Sequence, residues 1–168
     1  MKHARRHLVT LLLVAPLAAC GFHMRGSTPD AQLSFASLYL DAPKGTPIER
    51  DLRSAVRTGE TLLLADQKSA AVTLRVMSQA QEKKVLTLNA EGKVREYSLT
   101  YRVRFEVTDA NNKKLLQPPE IVLQSILSYS EEQALAKEQE ERMTFDDLRR
   151  DAVGRIMRQL ARVKPDPA

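Results

Sequence analysis

The sequence predicts an α+β fold, with two helices packed on one face of a mainly antiparallel four-stranded sheet. Tyr97, Leu99, Tyr101, Val103, Phe105 and Val107 alternate with Ser98, Thr100, Arg102, Arg104, Glu106 and Thr108. That period of two marks a strand with one apolar and one polar side. Near the other end of the chain, Leu148, Ala152, Ile156 and Leu160, with Val153 and Met157 beside them, form an apolar stripe at helical spacing. The elements come in the order strand, helix, strands, helix, and each strand keeps one wet side, so one layer of helices covers the sheet.

Phe35 to Asp41 places Leu38 and Leu40 on one side and Ser37, Tyr39 and Asp41 on the other, which predicts a first strand. Thr46-Pro47-Ile48-Glu49 then supplies an N-cap, a proline at the first helical position and the glutamate of a capping box. Ile48, Leu52, Ala55 and Val56 follow at helical spacing, and Gly59 is positioned to close the helix. Leu62-Leu63-Leu64-Ala65 reads as a short strand.

From Ala70 the period is two again, with Val72, Leu74 and Val76 facing one way and Thr73, Arg75 and Met77 the other. The alternation weakens through Gln79 to Lys84 and resumes at Val85 to Leu88. Asn89-Ala90-Glu91-Gly92 is a hairpin turn, with glycine where a positive φ is needed. After the long return strand, Asp109 to Lys114 turns the chain, Pro118-Pro119 interrupts pairing, and Ile121 to Tyr129 completes an antiparallel meander. The last helix has two candidate starts, Ser130-x-x-Gln133 and Thr144-x-x-Asp147. Arg155, Arg158, Arg162 and Lys164 favour its C-terminal end, and Pro165 stops it.

The N-terminal stretch has the three parts of an export signal: Lys2, Arg5 and Arg6 among His3 and His7, then Leu8 to Leu17, then small residues. The apolar run is too short to span a bilayer, which takes about 20 residues. Ordinary secretory cleavage takes a small side chain three residues before the cut, and here that residue is Leu17. Leu17-Ala18-Ala19-Cys20-Gly21 resembles a bacterial lipobox, which implies acylation of Cys20. One acyl chain holds a protein marginally and more than one holds it stably. Gly21 stands where many Gram-negative lipoproteins retained at the inner membrane carry aspartate, so that likeness implies the outer membrane. Ser27 to Gln32 carries turn formers and no periodicity, as a tether would. The boundaries that follow are a signal peptide over 1–19, a lipidated N-terminus and tether over 20–34, one α+β domain over 35–164 and a short tail over 165–168.

Composition narrows the function. The signal takes three of the 26 basic residues, which leaves 23 against 21 acidic ones and a net charge of about +2. General nucleic-acid binding comes with a concentrated basic excess that this balance lacks. Cys20 is the sole cysteine, so acylation leaves no thiol for a disulfide or a metal. His23 is the one histidine beyond the signal, which argues against a zinc site and a histidine triad. No glycine-rich phosphate loop is present. Glu138, Glu140 and Glu141, like Asp146 and Asp147, have the spacing of a solvated helix face. No enzyme, cofactor or metal is expected; a binding or assembly protein is.

Three strings, in order along the chain, then point to a family. Cys20-Gly21-Phe22-His23-Met24-Arg25-Gly26 resembles the C-G-[FW]-H-L-R start of the lipopolysaccharide-assembly lipoproteins, the LptE family. Ala134-Leu135-Ala136-Lys137-Glu138 resembles the A-L-A-K-[DE] stretch before that family's last helix, and Asp151-Ala152 with Arg158-Gln159-Leu160 its closing D-A-x-x-x-[IL]-x-R-x-L. The resemblance implies a lipid-anchored plug inside an outer-membrane β-barrel, LptD, that helps deliver lipopolysaccharide to the outer leaflet. It also implies two helices on a four-stranded sheet, with residues 61–66 outside it or at its edge. The ligand's phosphates and carboxylates call for Lys or Arg donors. The resemblance carries the family's A-L-A-K lysine onto Lys137. The family's arginine near the hairpin tip falls at about Ala90, so Lys93 and Arg95 across the turn are the substitutes. Arg102 and Arg104 read as solvated, and Phe22 and His23 as positioning the anchor. A free-standing lipid-binding or scaffold lipoprotein without a barrel partner is the alternative.

Overall fold

The computed structural model describes residues 33–116 and 120–165. The signal, Cys20, most of the tether, Pro118-Pro119 and the end of the tail lie outside them. The strands are β1 (Ser37–Asp41), β2 (Leu62–Leu64), β3 (Val72–Leu88), β4 (Val94–Asp109), β5 (Lys114–Leu116) and β6 (Glu120–Ser128). The α-helices are α1 (Pro47–Arg57) and α2 (Ala134–Leu160), with 3₁₀ turns at Gln67–Ser69 and Glu131–Gln133.

Two helices and an α+β architecture were expected; the sheet differs. It has six strands in the order β2-β1-β3-β4-β5, with β6 also on β4, and it is mixed. β1 pairs parallel to both β2 and β3, while β3, β4, β5 and β6 pair antiparallel. The helical connection through α1 returns the chain to the starting end of β1, and such a crossover produces a parallel pair. β2 is in the sheet, as its outer edge strand.

α1 begins as its sequence requires. Thr46 Oγ1 accepts from Glu49 N at 3.4 Å, and the Glu49 carboxylate accepts from Gly45 N at 3.0 Å. The reciprocal bond thus falls one residue before the cap. Thr58, not Gly59, caps the other end, with Gly59 N bonded to Val56 O. Ile48, Leu52 and Val56 are buried as the spacing predicts.

β4 keeps one phase throughout: Leu99, Tyr101, Val103, Phe105 and Val107 are all buried. β3 does not. Val72, Leu74 and Val76 lie opposite Asp109, Val107 and Phe105, but after Met77 the partners of Val103, Tyr101 and Leu99 are Gln79, Gln81 and Lys83. Met77 is an extra residue, a β-bulge, and shifts the core side of β3 from even to odd numbers. The fading alternation from Gln79 to Lys84 is this phase change.

Both helices join one core with the sheet. Ile48, Leu52 and Val56 of α1 and Ala152, Val153, Ile156 and Leu160 of α2 cluster with Leu38, Leu40, Leu74, Val103 and Phe105. α2 also packs on β4 and β6 near Leu99, Leu127 and Phe145. It starts at Ala134, eleven residues before Phe145, so the Thr144 start is corrected: Thr144 lies inside the helix and its hydroxyl donates to Glu140 O. Ser130 precedes the 3₁₀ turn but makes no side-chain cap.

Arg149 ties the helices together. Its Nε donates to Asp51 Oδ2 at 2.7 Å, and its Nη1 pairs with Asp146. Burial alone would lower its pKa, but these two carboxylates outweigh that and raise it. Beneath it the Tyr101 hydroxyl donates to Gln79 Oε1 at 3.1 Å, and burial pushes the Tyr101 phenol up to about 12 from 10.0. A raised phenol pKa favours the neutral form in the fold, so its contribution is complete below pH 10.0 and drains away towards pH 12. The melting temperature is expected to fall across that window, and to fall less in Tyr101→Phe, as read by thermal melts.

Candidate functional site

The β3–β4 hairpin extends past β1, and its far end meets the start of α2. The turn there is held by Asn89, whose Oδ1 accepts from Glu91 N at 3.1 Å and Lys93 N at 2.8 Å, and Gly92 takes φ +77° as the sequence requires. Both are local features of an Asn-x-x-Gly turn.

Lys93 immediately precedes β4 and Arg95 is its second residue. Lys93 Nζ donates to Glu131 Oε2 at 2.8 Å, which joins the hairpin to the 3₁₀ turn before α2. That carboxylate's hydrogen bond and charge hold the Lys93 ammonium above the ordinary lysine range. Arg95 is exposed and makes no ion pair among the described residues, while its carbonyl accepts from Tyr129 N at 2.8 Å at the end of β6.

Lys137 sits in the first turn of α2. Its side chain is only 14% exposed, and its Nζ donates to Ser128 Oγ at 3.1 Å and Glu140 Oε2 at 2.8 Å. The three predicted cations therefore converge on one end of the molecule through contacts with residues 128–131. Lys93 and Lys137 are engaged by carboxylates, and Arg95 is the uncommitted charge.

Lys83 belongs to the same end and was missed. Its Nζ lies 4.1 Å from the centre of the Tyr97 ring and 2.5 Å from Glu141 Oε2 on α2. Tyr97 in turn meets Tyr129 edge-on, with ring centres 5.2 Å apart. A cation over an aromatic face contributes about 0.5–1 kcal/mol at an exposed site. Counted without the Met77 bulge, Lys83 falls on the wrong side of β3.

The described residues hold no group of three His, Cys, Asp or Glu side chains that could bind a metal ion. None of their helices is long and apolar enough to cross a membrane. What remains is a surface of cations, hydroxyls and aromatic edges in which Lys83, Lys93 and Lys137 are paired with Glu141, Glu131 and Glu140.

The family described as lipopolysaccharide-assembly, LptE, matches residues 35–160, from two residues before β1 to the last residue of α2. The chain belongs to the LptE family. It is 28% identical over 163 residues to the LPS-assembly lipoprotein LptE of Photorhabdus laumondii, covering 95% of this chain and 88% of that one. Among solved structures it resembles lipoprotein B from Nitrosomonas europaea, at 34% identity and a TM-score of 0.72, covering 84% of this chain and 90% of that one. It also resembles rare lipoprotein B from Shewanella oneidensis, at 26% identity and a TM-score of 0.66, covering 74% of this chain and 93% of that one. Among the three cations of this LptE-family member, only Lys137 was reached through the family's own motif; Lys93 and Arg95 were substitutes, and the contacts through Glu131 and Tyr129 bring them to the same end.

Proposed function

We propose that this LptE-family protein is an outer-membrane lipoprotein, acylated at Cys20, that plugs and assembles with the β-barrel LptD and helps deliver lipopolysaccharide to the outer leaflet. It is not an enzyme in this reading: it binds and positions. The observation that carries the ligand assignment is the convergence of Lys93, Arg95 and Lys137 at one end of an LptE-family domain. Arg95 offers its fork of donors directly to a phosphate. Lys93 and Lys137 exchange the carboxylates of Glu131 and Glu140 for the ligand's anions, so binding does not require new buried charge.

Charge reversal tests the ligand. The triple variant Lys93→Glu, Arg95→Glu, Lys137→Glu is expected to bind purified lipopolysaccharide about tenfold or more weakly, since each charged hydrogen bond contributes about 1.5–3 kcal/mol. Its melting curve should stay close to wild type. Unchanged affinity with normal melting rejects these three positions. For the partner, affinity purification from detergent extract is expected to yield a stoichiometric barrel; recovery of the monomer alone would favour a free-standing lipoprotein.

A further inference from the structure

A second surface lies on the free edge of β3. β1 pairs only with residues 72–75 of that strand, so from residue 78 to 88 β3 is bonded to β4 on one side and to nothing on the other among the described residues. An open row of N–H and C=O groups of this length is a template for another strand. Edges of this kind are commonly blocked by lysines. Here Lys83 is drawn back onto Tyr97 and Glu141, and Lys84 onto Glu82 at 2.8 Å, so neither is committed to covering the edge.

The same short stretch is flanked by a depression on each side of the sheet, and both reach Ala80 and Gln81. On the helix side a space of about 390 Å³ is lined by Gln79, Gln81, Tyr101 and Arg149. On the open side a space of about 460 Å³ is lined by Glu82, Lys84, Thr100 and Arg102. Successive side chains of a strand point to opposite faces, so a strand laid along this edge sends alternate side chains into the two depressions.

Their chemistry differs. Arg149 already holds Asp51 and Asp146, which leaves the helix side to the amides of Gln79 and Gln81 and the Tyr101 hydroxyl. The open side is lined by Lys84, Arg102 and Glu82; Lys84 is paired with Glu82 at 2.8 Å, and Arg102 with Glu120 at 3.4 Å in a half-exposed contact that an incoming carboxylate can replace. We propose that residues 79–84 of β3 take up an extended segment of a partner protein as an added strand. Its carboxylate side chains face Lys84 and Arg102, and its neutral hydrogen-bonding side chains face Gln79 and Gln81. The main-chain ladder supplies affinity and the two depressions supply selectivity.

The test uses the full chain in detergent and three short capped peptides: one alternating threonine and glutamate, one alternating threonine and lysine, and the first with proline at its centre. Amide hydrogen exchange across residues 79–84 is the readout. The glutamate peptide is expected to slow it in a saturable way, with the other two about tenfold weaker or worse. In the variant Lys84→Glu, Arg102→Glu the preference should reverse in favour of the lysine peptide. Absence of slowing, or equal slowing by all three peptides, would overturn the proposal. So would protection without any peptide in a chain that sediments as a dimer, which would assign the edge to a second copy. Lipopolysaccharide affinity, measured on the same double variant, should be unchanged, which separates this surface from the cationic end.

Discussion

Phe105→Ala is expected to destabilise the domain by about 3–5 kcal/mol, the usual cost of removing a large buried ring. Phe105 is fully buried and belongs to the cluster that contains residues of both helices and of β1, β3, β4 and β6. It also stands opposite Val76, the last β3 residue before the bulge. A cavity there removes contacts from both layers at once, and neighbouring backbone cannot close over it, because β4 is paired on both sides. Since domains of this size are stable by about 5–15 kcal/mol, the variant should lose a large part of its margin. Denaturant titration reads the loss directly. Val122→Ala is the matched control: Val122 is 45% exposed on the open side of β6, and its loss should stay within about 0.5 kcal/mol. Similar losses for the two would mean that the core is not where the burial places it.

Cys20→Ala is expected to have the largest effect on location and little on folding. If the cysteine carries several acyl chains, its removal takes away the lipid attachment, and the proposed seat in the barrel is then what holds the domain at the membrane, since no helix among the described residues could span a bilayer. Produced without the barrel, the variant should leave the membrane fraction or remain unprocessed, while retaining the melting behaviour of the domain over residues 35–160. Intact mass spectrometry of the native protein decides the premise. An unmodified N-terminus would remove the anchor from the account while leaving the fold and family untouched.

Much of this was legible in the sequence where one local rule applied. The β4 alternation, the Thr46 cap, the Asn89 to Gly92 turn and the α2 stripe each depend on residues close together in the chain, and each is present. What failed depends on partners far away. The direction of β1 pairing is set by the crossover through α1, not by anything in Ser37–Asp41 itself. The start of α2 was ambiguous because neither Ser130 nor Gln133 makes a side-chain cap, so the strong cap signal at Thr144 was a decoy. In the candidate site, Lys137 was reachable only through likeness to a family. Lys93 and Arg95 were reachable through the turn. Lys83 was hidden because its side of the strand is decided upstream.

The single supernumerary residue at Met77 has a consequence for how this protein can diverge. Deleting it would bring Val76 next to Ser78 opposite Phe105 and Arg104, making the ladder regular there, and would leave Gln79 opposite Val103 and Lys83 opposite Leu99, so no side chain beyond turns over. Loss of a residue at that point is thus absorbed by the bulge, whereas loss of one anywhere from Ser78 to Val85 would change which side chains face α2. The strand can therefore shorten by one codon there while its interior half and its outer arm both keep their sides.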